Sequence, residues 1–494
     1  MALTTIPWGL QPLASSSEEA HNKHWAYWLN KINRASLVML TEEGIIDKET
    51  ARTIAKAQKA AEAVQAEPGR EEFQDIMPLE KLLIAECGQS ATLIHTGRSR
   101  QDIFATLYQA RLRLGLLDFL TELNKLRRTL LDMGCAHTET WMPAYTNGVQ
   151  AMPVTFGFYL WGFLSSFERD ADRVRDAWPR VNQCALGTAV LACSAWPLSR
   201  TRLAELLGFD KPLPCGIDSS QVSLFDVPLE AASIASNTAV RITTLMQDIA
   251  RQYSQTRPWL LLDQSAAYGS SAMPQKRNPG IVNKTRARAS DVIGAAQSVV
   301  FRAHNLGLGD FDNKDAVSDD SAAVFAKAAD MLRLADWAFS MLRVNKERAL
   351  EELNNDWTCT MALAEVLQMR FGLPFRVGHN FASDIVTEAR NQGWLPKTFP
   401  YAEACRIYRN VCERLMGEAK DLPLTESEFR EALSPEYVVK SRVGLGSPAP
   451  ESTAAGLAAV RARLDADEAW IHEKRQALEE AFIALDNAFE ALGA

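Results

Sequence analysis

Residues 269–279 read GSSAMPQKRNP and are the most informative part of this sequence. It places two hydroxyl groups, an ammonium group and a side-chain amide in one short loop. Gly269 permits backbone geometry that other residues resist, and Pro279 suits the first turn of a following helix. A loop that enters a helix N-terminus collects backbone N–H groups at the positive end of the helix dipole. The stretch therefore predicts a carboxylate site, and the alternative is a polar surface turn.

A second polar stretch, HTGRSRQD, occupies residues 95–102. Ser99, Arg100 and Gln101 bring a hydroxyl, a guanidinium and an amide donor together, and the fork geometry of an arginine suits a carboxylate. We therefore predict that these three residues bind a dicarboxylate substrate. The alternative is that Arg98 or Arg100 pairs with an internal acid. His95 is better explained by a structural role.

Together the two stretches resemble the aspartase/fumarase superfamily, whose loop pattern is Gly-Ser-Ser-x-Met-Pro-x-Lys-x-Asn-Pro. The second stretch resembles the argininosuccinate lyase branch, which usually reads His-Thr-Gly-Arg-Ser-Arg-Asn-Asp, so Gln101 replaces an asparagine. The similarity continues at residues 182–209, 313–315, 372–376 and 447–451. On this basis the chain is identified as a member of the superfamily, in its argininosuccinate lyase-like branch.

Bulk properties narrow the classes of function. The chain has 494 residues, a formal net charge of −8 and no basic run, so nucleic acid is not an expected partner. The longest aromatic apolar run, residues 154–167, is too short to span a bilayer. Residues 1–17 lack the pattern of a signal peptide, and eight scattered cysteines indicate reduced thiols. We therefore predict a cytoplasmic protein that needs no metal or other cofactor and does not bind a membrane.

Helical periodicity dominates the chain. From residue 105 to residue 133, apolar residues recur every three or four positions, and residues 154–174, 229–253, 282–300 and 322–342 also read as long helices. The sequence predicts an all-α fold in three domains, at residues 1–104, 105–351 and 352–494. The resemblance implies that the second domain is a central bundle of long helices. It also implies a homotetramer in which each active site combines motifs from three subunits.

The resemblance also assigns roles within residues 269–279. It implies that Ser270, in its ionised form, is the base that removes a proton from the carbon beside a carboxylate. Lys276 would supply positive charge, and Asn278 would supply amide donors to the substrate. Ser271 would contact a carboxylate or brace the loop. Because a free serine is far too weak a base at neutral pH, its surroundings must stabilise the alkoxide.

A third family region departs from the pattern. The superfamily reads Thr-His-x-Gln-x-Ala-Gln-Pro, whereas residues 146–153 here read TNGVQAMP. Thr146 is retained as a predicted carboxylate contact. Asn147 replaces the histidine proposed as the general acid or its partner, and an asparagine cannot donate a proton at near-neutral pH. We expect Asn147 to bind substrate, and we hypothesise that the leaving amine takes its proton from water or is bound already protonated.

A fourth region bears on the amine. Alignment through residues 313–315 places Asp312, Val317 and Asp320 where argininosuccinate lyases carry a tyrosine, a glutamine and a lysine. An acidic pocket around Asp312 should prefer a cationic amine end and repel a carboxylate. Alternatively, Asp319 and Asp320 cap a helix or face solvent. The missing lysine predicts weak cleavage of argininosuccinate.

These observations favour a cofactor-free carbon–nitrogen lyase that cleaves an N-substituted aspartate reversibly to fumarate and an amine. Argininosuccinate and an aminopolycarboxylate of the ethylenediamine-disuccinate type are the candidate substrates. A carboxymuconate cycloisomerase is a more distant enzymatic option. A different class also stays open, namely an inactive or structural, crystallin-like paralogue.

Overall fold

Among the residues that the structure describes, three helices precede the centre of the fold. A computed structural model describes residues 25–493, so the predicted absence of a signal peptide concerns residues outside the described part. The three helices are α1 (Trp25–Glu42), α2 (Lys48–Gln65) and α3 (Ile76–Cys87), and a 3-10 helix (Gly88–His95) follows. Asp47 begins α2 as its N-cap, because its carboxylate accepts hydrogen bonds from two backbone N–H groups of the first turn.

Five long helices form the central bundle. They are α4 (Arg100–Ala136), α5 (Phe156–Val181), α7 (Ser223–Gln252), α8 (Gly280–Ala303) and α9 (Phe311–Ser340). Their apolar faces meet in one continuous core, which includes Phe119, Phe167 and Leu245 at 0% exposure. The long helices are thus apolar over a broad arc because each packs against several neighbours. The all-α class and the central long-helix bundle are confirmed.

Shorter elements connect these helices. A hairpin of β1 (Trp141–Thr146) and β2 (Val149–Thr155) lies between α4 and α5. The strands β3 (Gln183–Cys184) and β4 (Lys211–Pro212) pair in parallel around α6 (Arg200–Leu206), and a π-helix (Asp218–Val222) leads into α7. Between α7 and α8 come β5 (Leu260–Leu262), a 3-10 helix (Gln264–Ala266), β6 (Tyr268–Gly269) and β7 (Arg277–Asn278). The strand β8 (Leu342–Val344) follows α9 and pairs with β5.

The C-terminal part has its own core and then returns to the bundle. Helices α10 (Lys346–Asn354), α11 (Thr360–Phe371), α12 (Phe375–Gln392), α13 (Tyr401–Met416), α14 (Glu426–Ala432) and α15 (Pro435–Lys440) precede the last helix, α16 (Pro450–Gly493). A separate apolar cluster centres on Phe381, Phe399 and Phe429. The helix α16 packs along the bundle, where Asp467 accepts a buried hydrogen bond from Arg127 at 2.7 Å.

The predicted domain boundaries stay predictions. The boundary at residue 104 falls inside α4, one turn after this helix begins at Arg100. The predicted third domain contains α16, which packs against both α4 and α5. Among residues 25–493, no helix combines the length and apolar character needed to cross a bilayer.

Candidate active site

The loop at residues 270–276 is closed by two short strands. The strands β6 and β7 pair antiparallel, with Tyr268 opposite Asn278 and Gly269 opposite Arg277. The side chain of Asn278 reinforces this closure, since its Nδ2 donates a hydrogen bond to the Tyr268 carbonyl at 3.2 Å. The loop projects into solvent: Ser270 is half-buried, whereas Lys276 is exposed. The local fold therefore presents the loop side chains outward, immediately before the N-terminus of α8.

Within this loop, Ser270 is an acceptor of backbone hydrogen bonds. Its Oγ accepts from the backbone nitrogen of Ala272 at 3.3 Å and of Met273 at 3.1 Å. Hydrogen bonds donated to an oxygen stabilise its negatively charged form. Lys276 and Ser271 lie on the same exposed loop. This geometry suits a serine whose hydroxyl must lose a proton.

At the start of α4, Ser99 has a structural task. It is the N-cap of the helix: its Oγ accepts from the Gln101 backbone nitrogen at 3.2 Å, and its own N–H donates to Asp102. The other oxygen of Asp102 accepts from the backbone nitrogens of Gly187 and Thr188, at 2.8 and 3.0 Å. Burial raises the pKa of Asp102, while these backbone N–H groups oppose the rise. The capping box thus fixes where α4 begins and orients the residues beside it.

The two arginines of this stretch differ in environment. Arg98 is buried and donates to Asn33 Oδ1 at 2.6 Å and to Ser36 Oγ at 2.9 Å, both on α1. Burial lowers the pKa of Arg98 to about 10. Arg100 is exposed, and its guanidinium lies 2.6 Å from Asp75 Oδ2. Arg98 is therefore internal but donates to an amide and a hydroxyl, whereas Arg100 is the arginine that pairs with an acid, Asp75.

Gln101 reaches away from the start of α4. Its Nε2 donates to the backbone carbonyl of Ser220 at 2.7 Å, in the π-helix that leads into α7. This bond uses one of two amide hydrogens and leaves the side-chain oxygen as an acceptor. The predicted substrate contact is thus also a tether between α4 and α7.

Asn147 lies at the tip of the β1–β2 hairpin. Thr146 pairs with Val149, so Asn147 and Gly148 form a two-residue turn, with φ of 52° and 78°. Two consecutive positive φ values are typical of a type I′ turn, in which Asn-Gly is the preferred pair. Thr146 and Asn147 are both exposed. The asparagine that replaces the family histidine therefore also satisfies a backbone requirement.

The acidic residues near the start of α9 are mostly engaged. Asp319 lies 3.3 Å from Arg111, and Asp320 pairs with Arg302 at 2.5 Å. Asp312, in the first turn of α9, is exposed. Burial is the main cause of the raised pKa of Asp315. The acidic pocket expected from the sequence is thus reduced to Asp312 and Asp315.

Asp310 is engaged within its own loop. Its carboxylate accepts a hydrogen bond from the backbone nitrogen of Gly307 at 2.8 Å. Lys314 follows in α9 and is buried, and its Nζ donates to Gln221 Oε1 at 2.7 Å. Burial lowers the pKa of Lys314. These contacts connect the start of α9 to the same π-helix that Gln101 contacts.

The candidate residues divide between the two ends of the bundle. The starts of α4 and α9 meet, with the rings of Phe104 and Phe311 stacked at 6.3 Å, so Arg100, Gln101 and Asp312 belong to one end. The loop of Ser270 lies before α8, whose 24 residues span about 36 Å and lead toward α9. A single chain therefore brings Ser99, Arg100, Gln101 and Asp312 together, but it does not bring them to Ser270.

The β1–β2 hairpin lies at the far end of α4 from Arg100. This helix has 37 residues, which correspond to about 55 Å. Beneath the hairpin is a cavity of about 750 Å³ whose lining includes Asn147. The other lining residues include several aromatic side chains, Tyr145, Phe158, Tyr159 and Trp259. The apolar run at residues 154–167 by itself predicts only a core helix. The available signal was the Asn-Gly pair, which predicts a hairpin in front of that helix.

The sequence of this chain is similar to those of known lyases. Residues 34–294 match the family model described as Lyase. The argininosuccinate lyase of Methanoculleus marisnigri is 31% identical over 455 residues, which cover 91% of this chain and 90% of that protein.

The fold is similar to that of solved lyase structures over almost the whole length of this chain. A structure described as EDDS lyase in complex with formate has a TM-score of 0.83 and 26% identity, and the match covers 96% of this chain and 92% of the other. A structure of an EDDS lyase variant with bound fumarate has a TM-score of 0.82 and 25% identity, with 98% of this chain and 97% of the other covered.

Proposed function

We infer the following function from the premise that this chain belongs to the lyase family, in the argininosuccinate lyase-like branch of the aspartase/fumarase superfamily. The protein is a carbon–nitrogen lyase that produces fumarate. Its substrate is an N-substituted aspartate, which it cleaves by β-elimination, and the reverse reaction adds an amine to fumarate. The superfamily, the branch and the reaction class predicted from the sequence are confirmed.

One observation carries the proposed mechanism, namely the two backbone hydrogen bonds accepted by Ser270 Oγ. The carbon beside a carboxylate is a poor acid, so its deprotonation needs a base and donors around the carboxylate. Ser270 is the base, and the N–H groups of Ala272 and Met273 stabilise its alkoxide. Lys276, on the same loop, contributes positive charge to the dianionic intermediate.

The carboxylate contacts come from several parts of the fold. Asn278 uses one amide hydrogen to close its loop, which leaves the second for a substrate carboxylate. Ser271 is the neighbouring hydroxyl. Arg100 and Gln101 bind the other carboxylate, while Ser99 orients them as the cap of α4. Thr146 and Asn147, at the tip of the β1–β2 hairpin, are the remaining substrate contacts.

We propose that the active protein is a homotetramer and that three copies contribute to each site. The supporting observation is the separation between Ser270 and Arg100, which lie at opposite ends of a bundle. An antiparallel neighbour would bring one copy's loop to another copy's α4 start. For the compartment we propose the cytoplasm, because all eight cysteines are free thiols.

Charge at the start of α9 bears on the choice of amine. The relatives named above suggest argininosuccinate or an ethylenediamine-disuccinate-type aminopolycarboxylate as the substrate. Asp312 is exposed at this end of the bundle and lies close enough to Asp315 to raise its pKa, so an arginine's carboxylate would meet acids here. This charge arrangement supports an amine without a carboxylate at its far end.

A direct assay tests the proposed function. The full-length protein is incubated with fumarate and a panel of amines, and the loss of fumarate absorbance is followed. We expect loss with at least one amine, and we expect Ser270→Ala to slow it by about a hundredfold to ten-thousandfold. Ser383→Ala is the matched control, because Ser383 is exposed on α12, in the C-terminal part of the chain. Inactivity with every amine would instead favour a structural paralogue.

A further inference from the structure

The cavity beneath the β1–β2 hairpin has the size and lining of a small-molecule site. It measures about 750 Å³, and it lies between the hairpin, the start of α5 and the end of α7. Small-molecule pockets of roughly 300–1,000 Å³ are lined mainly by hydrophobic and aromatic side chains with a few polar groups. This cavity has that composition, and one of its lining residues is Asn147, a substrate contact of the proposed function.

Aromatic rings make up the deep wall of the cavity. Trp259 is 2% exposed and packs edge-on against Phe156, with ring centroids 6.2 Å apart. Phe158 and Tyr159, in the first turn of α5, are only partly buried, so their rings retain free surface. Ala144, on β1, is half-buried and adds a small apolar patch. The wall therefore offers apolar surface that a bound carbon skeleton would cover.

Polar groups also line the cavity, among them Asp248, Arg251 and Gln255. The Tyr159 hydroxyl donates to Asp248 Oδ2 at 3.0 Å, and Arg251 lies 3.9 Å from the other oxygen of the same carboxylate. Asp248 thus has one hydrogen-bond partner, and the Arg251 guanidinium faces its carboxylate beyond hydrogen-bond distance. The Tyr145 hydroxyl lies near the Trp259 indole and the Gln255 amide. Among the lining residues Arg251 is the single cationic side chain, and it faces the Asp248 carboxylate, so the cavity offers little attraction to a second carboxylate.

We propose that this cavity holds the carbon skeleton of the amine, so that the preferred substrate is the N-succinyl derivative of an apolar alkylamine or arylalkylamine. The proposal rests on the proposed function, since it takes Asn147 as a contact near the bond that breaks. The succinyl part stays with Ser270 and Arg100, and the amine body extends past Asn147 against Phe158 and Tyr159. Burial of each additional methylene then favours binding.

The test measures amine selectivity in the direction of addition. The full-length protein is given fumarate with methylamine, hexylamine, 2-phenylethylamine or arginine, and kcat/KM for each amine is obtained from fumarate loss. We expect hexylamine and 2-phenylethylamine to exceed both methylamine and arginine by about tenfold or more. Methylamine reports the lyase chemistry without using the cavity.

A pair of variants at one position links selectivity to the cavity. Ala144→Leu adds three carbons to the apolar wall and should lower kcat/KM for 2-phenylethylamine by about tenfold or more, while methylamine is unaffected. Ala144→Ser nearly keeps the volume and should preserve the preference. Equal rates for all four amines, or an equal loss for both amines in Ala144→Leu, would overturn the cavity proposal and leave the proposed function intact. No fumarate loss with any amine would overturn both.

Discussion

Ser270 Oγ lies 3.1 Å from the backbone nitrogen of Met273 and accepts its hydrogen bond. This contact places a donor on the one oxygen that the mechanism needs as an anion. Because the donor is a backbone group, substitution of the Met273 side chain by any residue other than proline keeps the N–H. The proposed base and its stabilising donor thus belong to the same loop, and they are present before any substrate binds.

Lys276 should matter for the reaction more than for the fold. It is exposed, so Lys276→Met should leave the free energy of unfolding within about 0.5 kcal/mol of wild type. It should lower kcat by about a hundredfold to a thousandfold, because it removes positive charge from the developing dianion. Lys276→Arg should recover part of this loss. Urea titration measures the free energy of unfolding, and steady-state rates of fumarate formation give kcat. An unchanged kcat in Lys276→Met would refute the proposed contribution of the Lys276 charge.

Restoring the family histidine should have a small effect. If the leaving amine is bound protonated or takes its proton from water, Asn147→His adds a proton donor that the reaction does not require. We expect the rate with the preferred amine to change by less than about tenfold. Gly148 is left unaltered, so that the two-residue turn is retained. A rise of several orders of magnitude would contradict the account of leaving-group protonation.

A fall in pH should lower the folding stability of the N-terminal part, because His95 is held neutral there. Burial, and then the charge of Arg98, lower the pKa of His95 to about 4, although Glu80 lies 3.9 Å away. The folded state thus holds a neutral imidazole where the unfolded chain, with a pKa near 6.5, binds a proton. Stability from this site is present above about pH 6.5 and is lost as the pH falls toward 4. We take the burial effect as dominant, because 3.9 Å is long for an ion pair.

His95→Gln isolates this contribution. The side chain is partly exposed, so the expected effect is only about 1 kcal/mol after solvent screening. Urea unfolding at pH 7 and pH 5 should show a smaller acid loss in the variant than in wild type. His379→Gln, on α12 in the C-terminal part, is the control. An equal acid loss in His95→Gln and wild type would show that His95 does not titrate in this way.

Mixing inactive variants should restore activity if sites are shared. Ser270→Ala disables the loop of one copy, and Arg100→Ala disables the α4 start of another. In a mixed tetramer some sites receive an intact loop and an intact arginine from different copies. Subunits are therefore mixed in mild denaturant, returned to buffer and assayed against each variant alone.

We expect each variant alone to be nearly inactive and the mixture to regain a substantial fraction of wild-type activity. Mixing Ser270→Ala with Lys276→Met is the control, because both changes lie on the same loop and leave no copy with an intact one. A mixture of Ser270→Ala and Arg100→Ala that is no more active than its components would contradict a shared site.

Sequence patterns predicted the long helices well, because an apolar stripe every three or four residues reports burial directly. They did not predict the β1–β2 hairpin, whose strands are short and whose clearest signal is the single pair Asn147–Gly148. The hydrogen-bond partners of Ser99 and Arg98 could not be predicted from the sequence either. A cap and a buried cation depend on which helix packs nearby, and Asn33 and Ser36 are more than sixty residues away in sequence.

The ion pairs of the acidic residues in α9 could not be predicted from the sequence either. Asp319 and Asp320 look like neighbours of Asp312, yet successive helical positions point in different directions and meet different arginines, Arg111 and Arg302. By contrast, the loop of Ser270 was predictable in outline, because its glycine, prolines and hydroxyls act locally. Separation of the motifs along the bundle follows only from helix lengths and packing.

We propose above that Ser270 Oγ removes the proton from the succinyl carbon. This proposal is tested by a structure of the assembled protein with bound fumarate, in which the loop of Ser270 covers the ligand. The quantity to measure is the distance from Ser270 Oγ to the nearest olefinic carbon of fumarate. The account predicts about 3–3.5 Å, the separation of a reacting pair. A closed complex in which another side chain contacts that carbon and Ser270 lies beyond its reach would contradict it.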